Sequence, residues 1–222
     1  MSSRIITVFV VLGFLADWSP TFGAHDQARQ VSLEPRIEKV ALMPFLRGIS
    51  GYNTNEMLDS PVSGHYFSGE NIPGDAVQKV SILVQGVLTD YHGTRLVEFT
   101  KSKAAYDEIN GNITSDTPRS LAQKLGKQLG ASHIMIGTVW RYQERIGGSY
   151  GVEKPACVAF AVYLIDVANG KLLWTESFEE KQRSLSENIL STPTFLKRRG
   201  RWLSAMELIE CGITQIFERY PF

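Results

Sequence analysis

The segment that most constrains the fold is a run of twelve residues, 156–167 (ACVAFAVYLIDV). As a pleated strand it carries apolar side chains on both faces, which is typical of a strand at the centre of a sheet that is covered on both sides. One face holds Cys157, Ala159, Ala161, Tyr163 and Ile165, and the other holds Val158, Phe160, Val162 and Leu164. The chain is therefore expected to build a layered fold around this strand.

Two further strand-like runs flank the central one. Residues 132–146 (SHIMIGTVWRYQERI) precede it, and residues 171–182 (KLLWTESFEEKQ) follow it. The dipeptide Asn169-Gly170 joins the second and third runs, and this pair readily supplies the two positive-φ residues of a type I′ hairpin turn. In the third run apolar residues largely alternate with polar ones, so its strand is expected to have one wetter side. The pattern predicts a three-stranded antiparallel unit.

Helix signals precede and follow this unit. Residues 75–91 carry Val77, Val80, Val84, Val87 and Tyr91 at helical spacing. Thr117 followed by Pro118 predicts the start of a helix that Gly130 ends, and Ser204 with Glu207 forms a capping box that opens a C-terminal helix to about residue 220.

Shorter strands are predicted at 39–45 and 94–99, and a short helix at 104–109. Helical crossovers early in the chain permit parallel pairing, whereas the late tight hairpin demands antiparallel pairing. We predict a single α/β (α+β) domain, with a mixed sheet of about five strands and three main helices packed on it.

The N-terminal residues resemble a secretory signal. Residues 1–4 are positively charged, and the apolar run 5–16 spans only about 18 Å as a helix, which is short for a ~30 Å hydrocarbon core. We expect residues 1–24 to be a signal peptide cleaved after Gly23 or Ala24; the alternative is a buried N-terminal helix. No cysteine lies near this site, so the mature protein is expected to be soluble after export and not lipid-anchored. Residues 25–38 would be a flexible arm, and 39–222 the domain.

Composition and scattered residues give no positive sign of catalysis or of bound metal. The net charge of zero argues against a nucleic-acid binder, which needs a basic surplus. The four histidines show no ligand spacing, and no known catalytic motif occurs, so we predict no metal, no cofactor and no enzymatic activity. The glycines of 147–151 (GGSYG) lie between strands, which favours a flexible link over a phosphate loop.

The two cysteines, Cys157 and Cys211, are too far apart in sequence for a redox pair. A disulfide between them is possible in an oxidising compartment, but two buried thiols are the favoured interpretation. The acidic residues Glu179, Glu180 and Glu187 fit a solvated strand end; their alternative role is that of hydrolase carboxylates.

Two long segments, 46–74 and 181–203, show no clear periodicity, and long loops of this kind are often functional. The aromatic residues of the first either contact a partner or pin the loop to the domain. The second carries a basic cluster beside a tryptophan, which either meets an anionic partner or is a solvated loop. The predicted partner-binding residues are Tyr52, Tyr66, Phe67, Arg198, Arg199, Arg201 and Trp202.

Several of these motifs occur in one known family. The runs VALMPF, LGASHIMIGTV and LIDVANGKLLW, followed by a C-terminal helix, resemble the periplasmic domain shared by the TolB amino-terminal domain, the curli-secretion channel subunit CsgG and the penicillin-binding-protein activator LpoB. The resemblance spans roughly residues 39–220. It implies an envelope protein that binds other proteins and catalyses nothing. The chain departs from CsgG and LpoB in having no lipoprotein cysteine, and from CsgG in having no long alternating segments suited to membrane-spanning strands.

The sequence thus favours an exported, periplasmic envelope protein that acts as an interaction or accessory module, with peripheral association with the outer membrane left open. Its expected partners are envelope proteins or further copies of itself, and not nucleic acid. One alternative is a self-assembling subunit of an envelope secretion or assembly complex. The other is a cell-wall hydrolase, which requires a pocket with two converging carboxylates.

Overall fold

The computed structural model describes residues 37–50, 57–59, 66–68, 72–110, 117–182 and 201–222. All of them lie in one compact unit, Arg36–Phe222. The predicted signal peptide and most of the predicted arm fall outside the described residues and stay predictions. In chain order the described strands and α-helices are β1 (Val40–Leu42), β2 (Leu46–Arg47), β3 (Ile49–Ser50), β4 (Met57–Asp59), β5 (Tyr66–Ser68), α1 (Ala76–His92), α2 (Phe99–Asn110), α3 (Pro118–Gln128), β6 (His133–Gln143), β7 (Ile146–Gly147), β8 (Val152–Lys154), β9 (Cys157–Asp166), β10 (Leu172–Lys181) and α4 (Ala205–Phe217).

The main sheet has five strands and mixed direction, which confirms the predicted fold class. Its order is β1-β6-β9-β10, and β2 pairs with β6 further along. β1 and β2 run parallel to β6, whereas β6 with β9 and β9 with β10 are antiparallel. The parallel pairs depend on the long crossover through α1, α2 and α3, as a parallel connection requires.

The predicted central strand is β9, which lies between β6 and β10 and is buried on both faces. Each of its residues from Cys157 to Ile165 is at most 2 % exposed. Val158, Phe160, Val162 and Leu164 share a core with residues of α1 and α4. Ala159, Ala161, Tyr163 and Ile165 pack with residues of α2 and α3 on the opposite face. The two apolar faces read from the sequence are therefore two separate layers of core.

The helix boundaries follow the predicted capping residues. The Thr117 hydroxyl accepts a hydrogen bond from the Ser120 amide at 3.2 Å, and Gly130 adopts a φ of +61° after α3. The Ser204–Glu207 capping box is formed in full. α4 also packs closely on the sheet. Gly212 lies so near the Phe178 ring of β10 that a Cβ at this position would overlap the ring.

The predicted strand at 94–99 is wrong. Gly93–Arg95 forms a 3₁₀ turn after α1, and α2 already begins at Phe99. Only Leu96 makes a bridge, with Val40, and the Val97 amide donates to the Val40 carbonyl at 2.8 Å. The stretch between turn and helix is too short to add a strand, although its apolar residues still enter the core.

The turn between β9 and β10 differs from the predicted type I′ turn. The Asp166 amide donates to the Lys171 carbonyl and the Gly170 amide to the Asp166 carbonyl, so the loop has four residues, 167–170. Gly170 has the positive φ, +71°, that the sequence led us to expect there. The Asp166 carboxylate fixes the wider loop by accepting from the Ala168 amide at 2.8 Å and the Asn169 side chain at 2.9 Å. The two hydrogen bonds to the Asp166 carboxylate stabilise the four-residue loop relative to a two-residue turn.

Short strands occur in the predicted irregular segment 46–74 and beside the predicted flexible link 147–151. Within 46–74, β2 joins the main sheet and β3, β4 and β5 form a small antiparallel sheet. The GGSYG link closes a hairpin between β7 and β8. These strands have two or three residues each, too few for a periodicity to show in the sequence.

Candidate partner-binding surface

Four of the predicted binding residues are among the described residues, and they lie in two separate places. Tyr66 and Phe67 lie in β5, where they pair with Asp59 and Leu58 of β4. Arg201 and Trp202 lie in the four residues before α4, Arg201–Ser204, which we name the strap. Tyr52, Arg198 and Arg199 lie outside the described residues, so their role stays a prediction.

The strap is tied to three parts of the domain. The Trp202 amide donates to the Ser149 carbonyl at 2.8 Å, and the Arg145 guanidinium donates to the Trp202 carbonyl. The Leu203 amide donates to the Gln182 side-chain oxygen at 3.1 Å. Leu203 is itself buried, so the strap is anchored by its backbone and by one apolar side chain.

Acidic side chains fix the end of the strap that leads into α4. The Glu144 carboxylate accepts a hydrogen bond from the Ala205 amide at 3.1 Å. The Glu207 carboxylate accepts a hydrogen bond from the Ser204 amide at 2.8 Å and forms an ion pair with the Arg201 guanidinium at 2.7 Å. The backbone hydrogen bond from Ser204 and the nearby Arg201 guanidinium lower the pKa of Glu207 below its usual value. The predicted partner-binding residue Arg201 is therefore held by an ion pair within the chain.

The hairpin of residues 146–154 lies against the strap through the Ser149–Trp202 bond. Tyr150, close to its tip, is 86 % exposed, the largest exposure among the described large hydrophobic residues, and Ile146 is 50 % exposed. The Gly148 amide donates to the Gly151 carbonyl at 2.7 Å, and Gly147 has a φ of +109°. Any side chain at Gly147 would be strained and would crowd the Gly151 carbonyl, so the tight tip requires glycine there.

The hairpin and the strap together define one surface. We name it the hairpin–strap surface, and it comprises Arg145, Ile146, Tyr150, Lys154, Arg201 and Trp202. Lys154 pairs with Ile146 across the hairpin, so a cation neighbours an exposed apolar side chain. The sequence analysis predicted Arg201 and Trp202 as binding residues and did not name the hairpin residues. The available signal was a glycine-rich turn between Ile146 and Val152, which is typical of a short hairpin.

The acidic residues proposed for a hydrolase are not brought together in the described part of the chain. The Glu179 carboxylate lies 2.6 Å from the Arg141 guanidinium, whose side chain is only 11 % exposed. Glu180 is the next residue along β10, and successive strand residues point to opposite faces. Glu187 lies outside the described residues. The Arg141–Glu179 pair is thus a cross-strand contact over the small Ala159, which pairs with both residues.

Surface cavities formed by described residues give no sign of a hydrolase site in the two cases that follow. One, of about 200 Å³, is lined by Phe45, Phe99 and their neighbours, and its Ser81 hydroxyl is engaged, donating to the Val77 carbonyl at 2.8 Å. The other, of about 140 Å³, lies between α1 and α4 and includes one acid, Glu210. Neither is lined by the two carboxylates that hydrolysis of a glycosidic bond requires.

The remaining sequence predictions concern metal sites, thiols and membrane spans. Within the ranges that the structure describes, no group of three or more His, Cys, Asp or Glu side chains could hold a metal ion. Cys157 is buried as favoured, but Cys211 is exposed, and neither cysteine forms a disulfide. Among the same residues, no helix combines the length and the apolar character needed to span a bilayer.

Comparison with known proteins gives structural neighbours only. No protein-family model and no curated protein matches the chain. The PelC dodecamer from Paraburkholderia phytofirmans matches with a TM-score of 0.44 at 13% identity, covering 81% of this chain and 84% of that chain. Lipoprotein GNA1162 from Neisseria meningitidis matches with a TM-score of 0.41 at 15% identity, covering 73% and 94%.

The LpoB C-terminal domain from Escherichia coli matches with a TM-score of 0.38 at 13% identity, covering 66% of this chain and 84% of that chain. LpoB and a lipoprotein are therefore among the structural neighbours, in agreement with the LpoB part of the resemblance. The TolB and CsgG parts stay predictions. Because the TM-scores lie below 0.5, these likenesses carry no argument about function.

Proposed function

We propose that this protein is exported to the bacterial envelope and acts there, without catalysing a reaction, by binding another envelope protein through the hairpin–strap surface. The signal-like apolar run 5–16 supports export. The surface supports binding, because it combines the aromatic and Arg side chains that most often carry binding energy.

The observation that carries the proposal is the exposure of Tyr150 on a hairpin whose backbone is fixed. A tyrosine that is 86 % exposed gains a large buried area when a partner covers it. Its neighbours on the turn are held by the Gly148–Gly151 and Trp202–Ser149 hydrogen bonds. A preorganised backbone loses less conformational entropy on binding, which raises the affinity that a small contact can reach.

Two cations of the hairpin–strap surface are fixed as well. Arg145 is held by the Trp202 carbonyl and Arg201 by the Glu207 carboxylate. Lys154 adds an exposed ammonium group on β8. A partner with an acidic rim around an apolar pocket fits this arrangement, because opposite charges steer association while the aromatic anchor supplies affinity.

Photo-crosslinking in living cells tests the proposal. A photoreactive phenylalanine analogue replaces Tyr150 in the full chain, and a matched variant carries it at Thr175, an exposed position on β10. We expect a discrete adduct with one other envelope protein from position 150 and none from position 175. No adduct at position 150, or the same adducts from both positions, would contradict the proposal.

A further inference from the structure

Tyr220, in the turn after α4, covers the C-terminal end of α1. Its side chain is buried, and its hydroxyl oxygen lies 2.8 Å from Nε2 of His92, the last residue of α1. The Tyr220 ring also meets the rings of Tyr91 and Trp174 edge to face, with centroid distances of 5.3 Å and 5.0 Å. Tyr220 therefore closes this end of the core and keeps water away from His92.

The 218–222 turn, which carries Tyr220, is held by side-chain contacts rather than by regular secondary structure. Its residues follow α4 and belong to neither a helix nor a strand. The Arg219 carbonyl accepts a hydrogen bond from the Trp174 indole at 3.2 Å, and the Arg219 guanidinium forms an ion pair with Glu176 at 2.9 Å. Segments outside regular backbone hydrogen bonding open at the lowest free energy. The turn is therefore expected to open more readily than α1 or the central strands.

A proton on His92 is unfavourable while this turn is closed. Nδ1 of His92 has no hydrogen-bond partner among the described residues. In the same part of the chain, the charged groups that act on His92 are basic: Arg95 in the 3₁₀ turn after α1, and His133 at the start of β6. The acids Glu38 and Asp166 act on His133 instead. Burial, Arg95 and His133 together lower the pKa of His92 to about 4.

We propose that the 218–222 turn is a cover that opens at acidic pH, because protonation of His92 releases it from the domain. In the closed form the imidazolium is cut off from water, and it is hydrated once Tyr220 moves away. α1 and the sheet stay in place. Opening exposes ring faces of Tyr91 and Trp174, so an aromatic surface becomes accessible at acidic pH. The cover includes no residue of the hairpin–strap surface, so this inference does not depend on the proposed function.

Hydrogen exchange of the Trp174 indole in the full chain tests the opening. This hydrogen is bonded to the Arg219 carbonyl, so it exchanges when the turn moves away. The open form binds a proton at His92 near pH 6.5 and the closed form near pH 4, so we expect the protection of the indole to fall about fiftyfold between pH 7.5 and 4.5. Because the opening is local, low concentrations of urea should leave this exchange unchanged while they accelerate exchange in β9.

Two histidine variants complete the test. Gln at position 92 can still donate to the Tyr220 oxygen but does not titrate, so His92→Gln should make the protection of the Trp174 indole independent of pH. His133→Gln is the matched control and should keep most of the pH response. Protection that is equal at the two pH values in the wild type overturns the proposal. So does an equal fall in His92→Gln, or an indole exchange with the urea dependence of β9.

Discussion

His92 ends α1 inside the core, where water reaches it little. It is 4 % exposed, its Nε2 lies 2.8 Å from the Tyr220 hydroxyl oxygen, and its Nδ1 has no hydrogen-bond partner among the described residues. Burial, with smaller contributions from Arg95 and His133, lowers the pKa of His92 to about 4. Burial also lowers the pKa of His133. The folded protein therefore holds His92 neutral under conditions in which the unfolded chain protonates it.

This burial predicts a loss of stability at mildly acidic pH. The unfolded chain binds a proton at His92 near pH 6.5, before the folded protein does, so stability falls as the pH drops from 6.5 towards 4. Between pH 7.5 and 4.5 the contribution of His92 to the free energy of unfolding changes by about 2 kcal/mol. We expect His92→Gln to remove about 2 kcal/mol of this pH dependence in urea unfolding, while His133 still titrates. An unchanged pH dependence in the variant would show that His92 is not the group responsible.

At the scale of elements, the start of α4 serves both the fold and the proposed site. Its first turn is satisfied by Ser204 and Glu207 and by Glu144 from the end of β6. Because Glu207 also holds Arg201, the same carboxylate that caps the helix positions a cation of the hairpin–strap surface. Changes at this helix end are therefore expected to affect stability and binding together.

Substitutions at two helix caps distinguish an effect on stability from an effect on binding. Ser204→Ala removes the acceptor for the Glu207 amide, and Thr117→Ala removes the acceptor for the Ser120 amide at the start of α3. Each is expected to cost about 1 kcal/mol in the free energy of unfolding. Only Ser204→Ala should also weaken capture of the partner, because only this cap adjoins the strap. If both variants bind the partner equally well, the strap does not contribute to the binding site.

The long elements were predictable because burial requires apolar residues to recur at strand or helix spacing over many positions. β9, with nine consecutive residues at most 2 % exposed, could hardly be anything but a central strand, and the caps at Thr117 and Ser204 are encoded by neighbouring residues. The short elements carry weaker local signals. The glycine-rich turn is a local signal for the hairpin of β7 and β8, but the bond from the Trp202 amide to the Ser149 carbonyl joins residues that no local pattern relates. The turn after β9 contains a local hydrogen bond from the Ala168 amide to the Asp166 carboxylate, a competing turn signal beside Asn169-Gly170.

At the scale of the whole molecule, the mixed sheet is covered on both faces by helices, and the hairpin stands out from it. α1 and α4 cover one face, and α2 and α3 cover the other. The two cores occupy the faces of the central strands, so they offer a partner no open sheet surface there. The exposed large hydrophobic side chains of the described residues lie on α1 and on the hairpin. These two elements, and not the sheet, therefore offer a partner large apolar contacts.

The central claim is that Tyr150 anchors a partner, and the affinity of the partner recovered from the residue-150 adduct tests it most directly. Titration calorimetry compares the wild-type chain with Tyr150→Ala, and with Thr175→Ala as the control. We predict that Tyr150→Ala raises the Kd roughly thirtyfold, equivalent to about 2 kcal/mol, without changing the thermal midpoint. The control should bind like the wild type. Equal affinities for all three chains would contradict the account.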